Sequence, residues 1–412
     1  MATFLRGESD RFVLRVPHSN FTQPTEVCAG KDGAVSFHEI VRDRGWAVLD
    51  LVVEDKDEAE LLAKWHSIFR EAFAQDEDEK VAGGKYRSVK KLPVGFRRDD
   101  EREFFETRIF KDEDGFSSVN PLYTTSQYER LVRLLFRLER HVARAILQTL
   151  LRAIGIHPDA VIDLTDLKDY TESEWVGAVD DNKIVDVSSS LLRVCSYPSL
   201  QADNESSRQL TDTDPTDKGV VFGSHTDTSV LTLGLCSTDP GLELYDRRLR
   251  QWVNVERLAM QNCTDQVGDE DARCVPVIVF VGEVLQVLTR AYYRATIHRV
   301  RAPLAGTRIS CPFIIRGKWG RIINMRNGEN LESDTEEQGG GGEDIGDLGS
   351  HYPHACGRET LKKYTPDLDG SDVSLVHKIL DMKRAKCRKR NENAVADWVL
   401  AAELEVLEKT GE

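Results

Sequence analysis

The stretch GVVFGSHTDTSVLTLGL (219–235) decides how this chain is read. Its Val, Leu and Thr content predicts two short strands that meet near the turn His225-Thr226-Asp227. In an extended chain residues i and i+2 project from one face, so His225 and Asp227 can ligate one ion while Thr226 points away. A third donor, His298, ends VLTRAYYRATIHRV (287–300), which reads as a further strand. Before it, VFVGEVLQVLT (279–289) reads as an apolar strand with a Gly-Glu turn. Two imidazoles and one carboxylate, with coordination positions left open, make the set suited to non-haem Fe(II). After the turn RAPLAG (301–306), the strand RISCPFIIRG (308–317) puts Arg308 and Ser310 on one face. As an antiparallel neighbour of the His298 strand, it would hold the guanidinium a few ångströms from the metal, at the far end of a bound diacid.

Each piece is weak alone. His225 by itself reads as a polar residue at a strand end, and Arg308 as one more surface cation. Their conjunction, in order and on strands, carries the assignment.

The stretch from Arg193 to Arg316 resembles the 2-oxoglutarate/Fe(II) dioxygenase superfamily, in its isopenicillin N synthase-like branch. The resemblance rests on a strand ending in Tyr-Pro (LLRVCSYPS, Tyr197 and Pro198), on the HTD triplet, on GEVLQVLTRAYYRATIHRV (282–300) and on Arg308-x-Ser310. Weaker matches, RDRGWAVLDLVV (42–53) and REFFETRIF (102–110), extend it to roughly residues 35–320. The resemblance implies an α+β protein with a double-stranded β-helix (distorted jelly-roll) core and flanking helices. It also implies iron on His225, Asp227 and His298, and 2-oxoglutarate gripped at its distal carboxylate by Arg308, Ser310 and Tyr197. Oxidation of a small molecule by O2, with release of succinate and CO2, would follow. A bidentate guanidinium orients a carboxylate as well as attracting it, which lysine does not.

Three features depart from the family pattern. Cys195 stands near the co-substrate where asparagine is usual. Pro312 predicts a bulge or ladder interruption after Ser310. Polar insertions at 201–219 and 259–274 are expected as a partial lid and as plain surface, respectively.

The chain has 412 residues, of which 30% are charged, and a net charge of −15. That balance argues against nucleic-acid and anionic-membrane partners. Eight cysteines without a CxxC pair read as reduced thiols, and the chain shows neither a membrane-length apolar run nor a signal-peptide pattern. A cytoplasmic enzyme, monomer or weak dimer, with a small-molecule substrate is the expectation. The chain divides into an N-terminal segment (1–120) with a strand, an amphipathic helix at 57–75 and a substrate-facing loop. A helical connector (121–190) has one long helix ending at Gly155. The jelly-roll core (191–320) precedes an acidic Gly-rich loop (321–356) and a helical tail (357–412). Just before that tail His351, His354 and Cys356 lack a fourth zinc ligand at finger spacing, and within it KRAKCRKR (383–390) reads as a solvated helix face.

Substrate contacts are expected from Tyr86, Arg97, Arg98, Phe105 and Arg108 before the core, and from Arg193 on the Tyr-Pro strand. Convergence of several of these would favour an anionic or amino-acid-like substrate. Two alternatives stay open: a same-fold Fe(II) oxidase that does not use 2-oxoglutarate, and a non-catalytic ligand-binding or scaffold protein.

Overall fold

The computed structural model describes residues 11–16, 28–29, 36–84, 86–89, 92–99, 102–111, 116–118, 126–155, 165, 167, 184, 186–199, 219–247, 249, 251–261, 273–289, 292–303, 306–317, 322–323 and 330–331. The insertion at 201–218, the acidic loop beyond 331, the His351-His354-Cys356 group and the helical tail lie outside them.

Two sheets face each other. The larger has ten strands in the order Cys28–Ala29, Arg11–Val16, Trp46–Val53, Arg273–Val281, Leu231–Leu235, Thr307–Ile315, Leu191–Pro198, Glu103–Thr107, Leu92–Arg98, Arg87–Val89. The smaller has four: Val220–His225, His298–Arg301, Leu242–Asp246, Gln251–Asn254. All these pairings are antiparallel except that of Arg11–Val16 with Trp46–Val53.

Period-two alternation decides what each face of the large sheet meets. Leu192, Val194, Leu231, Leu233, Ile309, Phe313 and Val279 point to the helical side. There they meet the helix Ser126–Ala153, whose Leu131, Leu135, Leu138, Val142, Ile146 and Leu150 recur at helical spacing. Phe136 packs edge-on against Phe313, with ring centres 5.8 Å apart. The other face turns Trp46, Val48, Ile278 and Phe280 against Leu244 and Val255 of the smaller sheet and its connection. The cavity lies on this face.

The expected helix at 57–75 is two helices, Lys56–Ala63 and Trp65–Phe73, broken at Lys64. The segment EVLQVL, read as part of an apolar strand, is a helix, Glu283–Leu288. Its first turn is fixed by tertiary bonds: the N–H groups of Glu283 and Val284 donate to the carbonyls of Asp227 and Ser229. The second insertion begins inside another helix, Val255–Gln261, where Ala259 is buried. Pro312 interrupts the ladder without a bulge. Register is unchanged on both flanks, but the pairing with Leu191–Pro198 skips the positions opposite Cys311 and Pro312. Among the described residues no helix is long and apolar enough to cross a membrane.

Candidate active site

The metal end is built on one strand terminus from each of two neighbours. His225 ends the strand Val220–His225, and His298 opens the strand beside it, directly opposite. Asp227 lies two residues beyond the strand end. The ligating atoms of the three residues lie within 4.8 Å of one another. Nε2 of His225 is 3.9 Å, and Nε2 of His298 3.8 Å, from Asp227 Oδ1. These spacings are too long for hydrogen bonds. Two donors each about 2.1 Å from an ion are at most about 4.2 Å apart, a limit that both His–Asp distances meet, and the three residues together could hold one metal ion.

Their neighbours aim the donors. The Nδ1 atoms face backbone carbonyls, 2.9 Å from Gly223 O for His225 and 3.2 Å from Thr296 O for His298. An Nδ1–H donating there leaves Nε2 as the lone-pair nitrogen facing Asp227. Thr232 Oγ1 donates to Asp227 Oδ2 at 2.6 Å, leaving Oδ1 toward the imidazoles. Thr226 points away, as expected, and donates to the Glu283 carboxylate. Gly282 makes this packing possible, because a Cβ there would collide with the Ser229 backbone. Farther on, Gln286 Oε1 accepts from Ala295 N at 2.6 Å, and Thr296 Oγ1 donates to Gly45 O at 2.7 Å. These bonds fix the approach to His298. Phe222 and Phe280 wall the imidazoles, with ring centres 4.6 Å from His225 and 4.8 Å from His298.

The carboxylate end comes from the opposite sheet. The Arg308 strand and the His298 strand are not neighbours: they lie in different sheets, and Arg308 reaches the cavity from across it. On the large sheet Tyr197 pairs in register with Arg308, and Cys195 with Ser310. Arg193, Cys195, Tyr197, Arg308 and Ser310 line one cavity with His225, Asp227 and His298. Burial pushes the Tyr197 phenol up to about 12, against the pull of Arg102 and Arg308, so it stays a neutral hydroxyl at physiological pH.

Two groups at this end carry no signal in the sequence. Glu256, 1% exposed, ends the approach to Arg308 with a 2.6 Å ion pair to Nη2. Its carboxylate also accepts from the backbone N–H groups of Ser237, Gly241 and Leu242. Arg308 Nε and Nη1 are buried without a hydrogen-bond partner among the described residues. Gly241 leaves room for the arginine stem, since a Cβ would lie 2.8 Å from its Cδ. The second group is Arg102, whose Nη1 donates to the Tyr197 hydroxyl at 3.0 Å. It stands in REFFETRIF, where only its later neighbours attract notice.

Most of the expected substrate residues go elsewhere. Phe105 is in the core against Phe73 and Phe96. Arg108 is buried and donates to the carbonyls of Pro93, Ser188 and Ser189, a structural tie. Arg98 pairs with Glu77 and Glu103 at the surface. Arg97 lies over the Tyr86 ring, and neither residue lines the cavity. Arg193 does line it, bonded to Glu106. The alternation of the strand Glu103–Thr107 decides this sorting: Phe105 turns to the helices, and Glu106 to the cavity-side arginine.

Comparison with known proteins agrees with the donor set. Residues 188–317 match the 2OG-Fe(II) oxygenase superfamily. Among solved structures the chain is similar to a full-length Neurospora crassa protein in complex with alpha-KG and 5-formyluracil. That similarity has 16% identity over 73% of this chain and 84% of that one, at a TM-score of 0.47. It is also similar to the dioxygenase for auxin oxidation in rice, with 16% identity over 68% and 76% of the two chains and a TM-score of 0.40. No curated protein sequence matches the chain. Residues 188–317, which carry the three donors and Arg308, thus match a superfamily whose chemistry uses iron(II), 2-oxoglutarate and O2.

Proposed function

We propose that this cavity oxidises a small organic molecule, with 2-oxoglutarate as co-substrate, by hydroxylation, desaturation or oxidative cyclisation. The observation that carries the reading is the donor triangle, in which both Nδ1 atoms face backbone carbonyls and Nε2 faces Asp227. His225, Asp227 and His298 would hold the iron. When bound, iron and 2-oxoglutarate together supply O2 activation and the oxidising power. The protein's own residues bind, orient and exclude water. Arg308 and Ser310, with the Tyr197 hydroxyl, would take the distal carboxylate of the keto acid. The unpartnered Nε and Nη1 of Arg308 support this, since buried guanidinium N–H groups call for an anion. Phe222, Phe280 and Val300 keep the cavity apolar around the imidazoles.

One observation favours a second reading, a same-fold Fe(II) oxidase without 2-oxoglutarate: Arg308 already has a carboxylate partner in Glu256. Product analysis separates the two. The proposed function predicts O2-dependent conversion of 2-oxoglutarate to succinate, stimulated by the right substrate. Substrate oxidation with O2 consumed and no succinate formed would instead establish the oxidase.

A further inference from the structure

Three guanidinium groups line the cavity, and two have their own carboxylates. Arg193 is bonded to Glu106, and Arg308 to Glu256. Arg102 differs. Its side chain is 9% exposed, and its nearest carboxylate oxygen, Asp99 Oδ2, is 3.7 Å from Nε, outside hydrogen-bond range. That Nε is buried without a hydrogen-bond partner among the described residues.

The sheet register explains how Arg102 reaches the site. Ser196 pairs with Glu103 and Cys195 with Phe104, so the next position in that ladder sets Arg102 opposite Tyr197. On its other side Tyr197 pairs with Arg308. Arg102, immediately before the strand Glu103–Thr107, thus extends the row of Tyr197 and Arg308, and all three line the cavity. The two guanidinium carbons lie 5.8 Å and 5.5 Å from the centre of the Tyr197 ring. The Arg102 guanidinium is also 3.9 Å from the Phe222 ring centre, and Phe222 packs on the metal-side His225. Its Nη1 is 4.0 Å from Cys195 Sγ, a weak hydrogen-bonding group that does not compete for it. A buried planar cation held by aromatic faces, with a donor unspent, is built to take an anion.

We propose that Arg102 is a second carboxylate-binding residue of this cavity, additional to Arg308, so that the pocket takes organic-acid ligands at two guanidinium positions. This rests on the oxygenase reading of the same site. The carboxylate can belong to the keto acid or to the molecule being oxidised, and the experiment separates these sources.

Protein loaded with Fe(II) under anaerobic conditions is titrated with 2-oxoglutarate by its visible charge-transfer band. Metal-free protein is titrated with glutarate by calorimetry. A panel of small carboxylic acids and their methyl esters is then screened for stimulation of succinate release. If the keto acid is the ligand, Arg102→Gln weakens 2-oxoglutarate and glutarate binding by about tenfold or more, and Arg102→Lys restores part of it. If the oxidised substrate is the ligand, 2-oxoglutarate binding is unchanged. Acids, but not their esters, then stimulate the wild type, and Arg102→Gln abolishes that stimulation. Should Arg102→Gln fold poorly, Arg102→Lys carries the comparison, because it keeps the charge and loses the planar fork. Unchanged binding together with no loss of acid-specific stimulation overturns the proposal. A wild type that gives neither band nor succinate overturns the oxygenase reading instead, and glutarate binding to the metal-free chain still tests Arg102.

Discussion

The two ends of the cavity are built by different means. At the metal end, donors from one sheet are aimed by backbone carbonyls, by Thr232 and by the first turn of the helix Glu283–Leu288. Nearly every aiming group is local in sequence or inside the segment 279–300. At the carboxylate end, cations from the other sheet are balanced by acids brought from distant segments: Glu256 to Arg308, 52 positions away, and Glu106 to Arg193, 87 away. Short-range hydrogen bonds to the backbone orient the first end. The second is a charge balance, and a charge balance responds to what enters it.

Removing a donor is expected to have the largest effect. Asp227→Asn should abolish Fe(II) binding, measured by metal content after dialysis, while leaving the thermal midpoint of the metal-free protein close to wild type. Next is the carboxylate end. Glu256→Gln leaves Arg308 buried without its counter-charge, and breaking such a pair costs about 3–5 kcal/mol. Added 2-oxoglutarate should raise the melting temperature of Glu256→Gln more than that of the wild type, since the ligand restores the missing negative charge. An equal shift in both proteins would show that Glu256 and the ligand do not share Arg308. Smaller again is Thr232→Val, which removes the bond to Asp227 Oδ2 and should weaken metal binding about 10–100-fold with stability little changed. Least affected should be Arg98→Gln at the surface, within about 1 kcal/mol in denaturant unfolding.

The same contrast separates what is legible in the chain from what is not. His225 and Asp227 are legible because a two-residue spacing at a strand end is a statement about one face. His298, Tyr197, Arg308 and Ser310 follow as motifs on strands. The fold around them is legible as short runs of strand-forming residues, alternating in LTLGL (231–235) and mostly apolar in 191–198 and 307–315 because those strands are buried on both faces. EVLQVL is not legible: Val284 and Val287 suit a strand, and the bonds to Asp227 and Ser229 that anchor its first turn come from a distant segment. The change of sheet between the His298 and Arg308 strands looks like an ordinary hairpin turn in sequence. Glu256 carries no local signal at all, because its role exists only through Arg308 and three backbone N–H groups far from it. Arg108 and Arg102 look alike in sequence. Arg108 falls in the break between the strands Glu103–Thr107 and Ile109–Lys111 and ties carbonyls together, whereas Arg102, just before the first strand, enters the cavity.

We read the two ends as one site, which a keto acid would bridge from the metal held by His225, Asp227 and His298 to Arg308. The direct measurement is an anaerobic titration of Fe(II)-loaded protein with 2-oxoglutarate, in wild type, Asp227→Asn and Arg308→Gln. A single bridged site predicts a visible metal-to-ligand charge-transfer band in the wild type and no band in Asp227→Asn. It also predicts that Arg308→Gln develops the band only with at least about tenfold more 2-oxoglutarate. A wild type that binds Fe(II) yet develops no band, or an Arg308→Gln variant that titrates like the wild type, would contradict it.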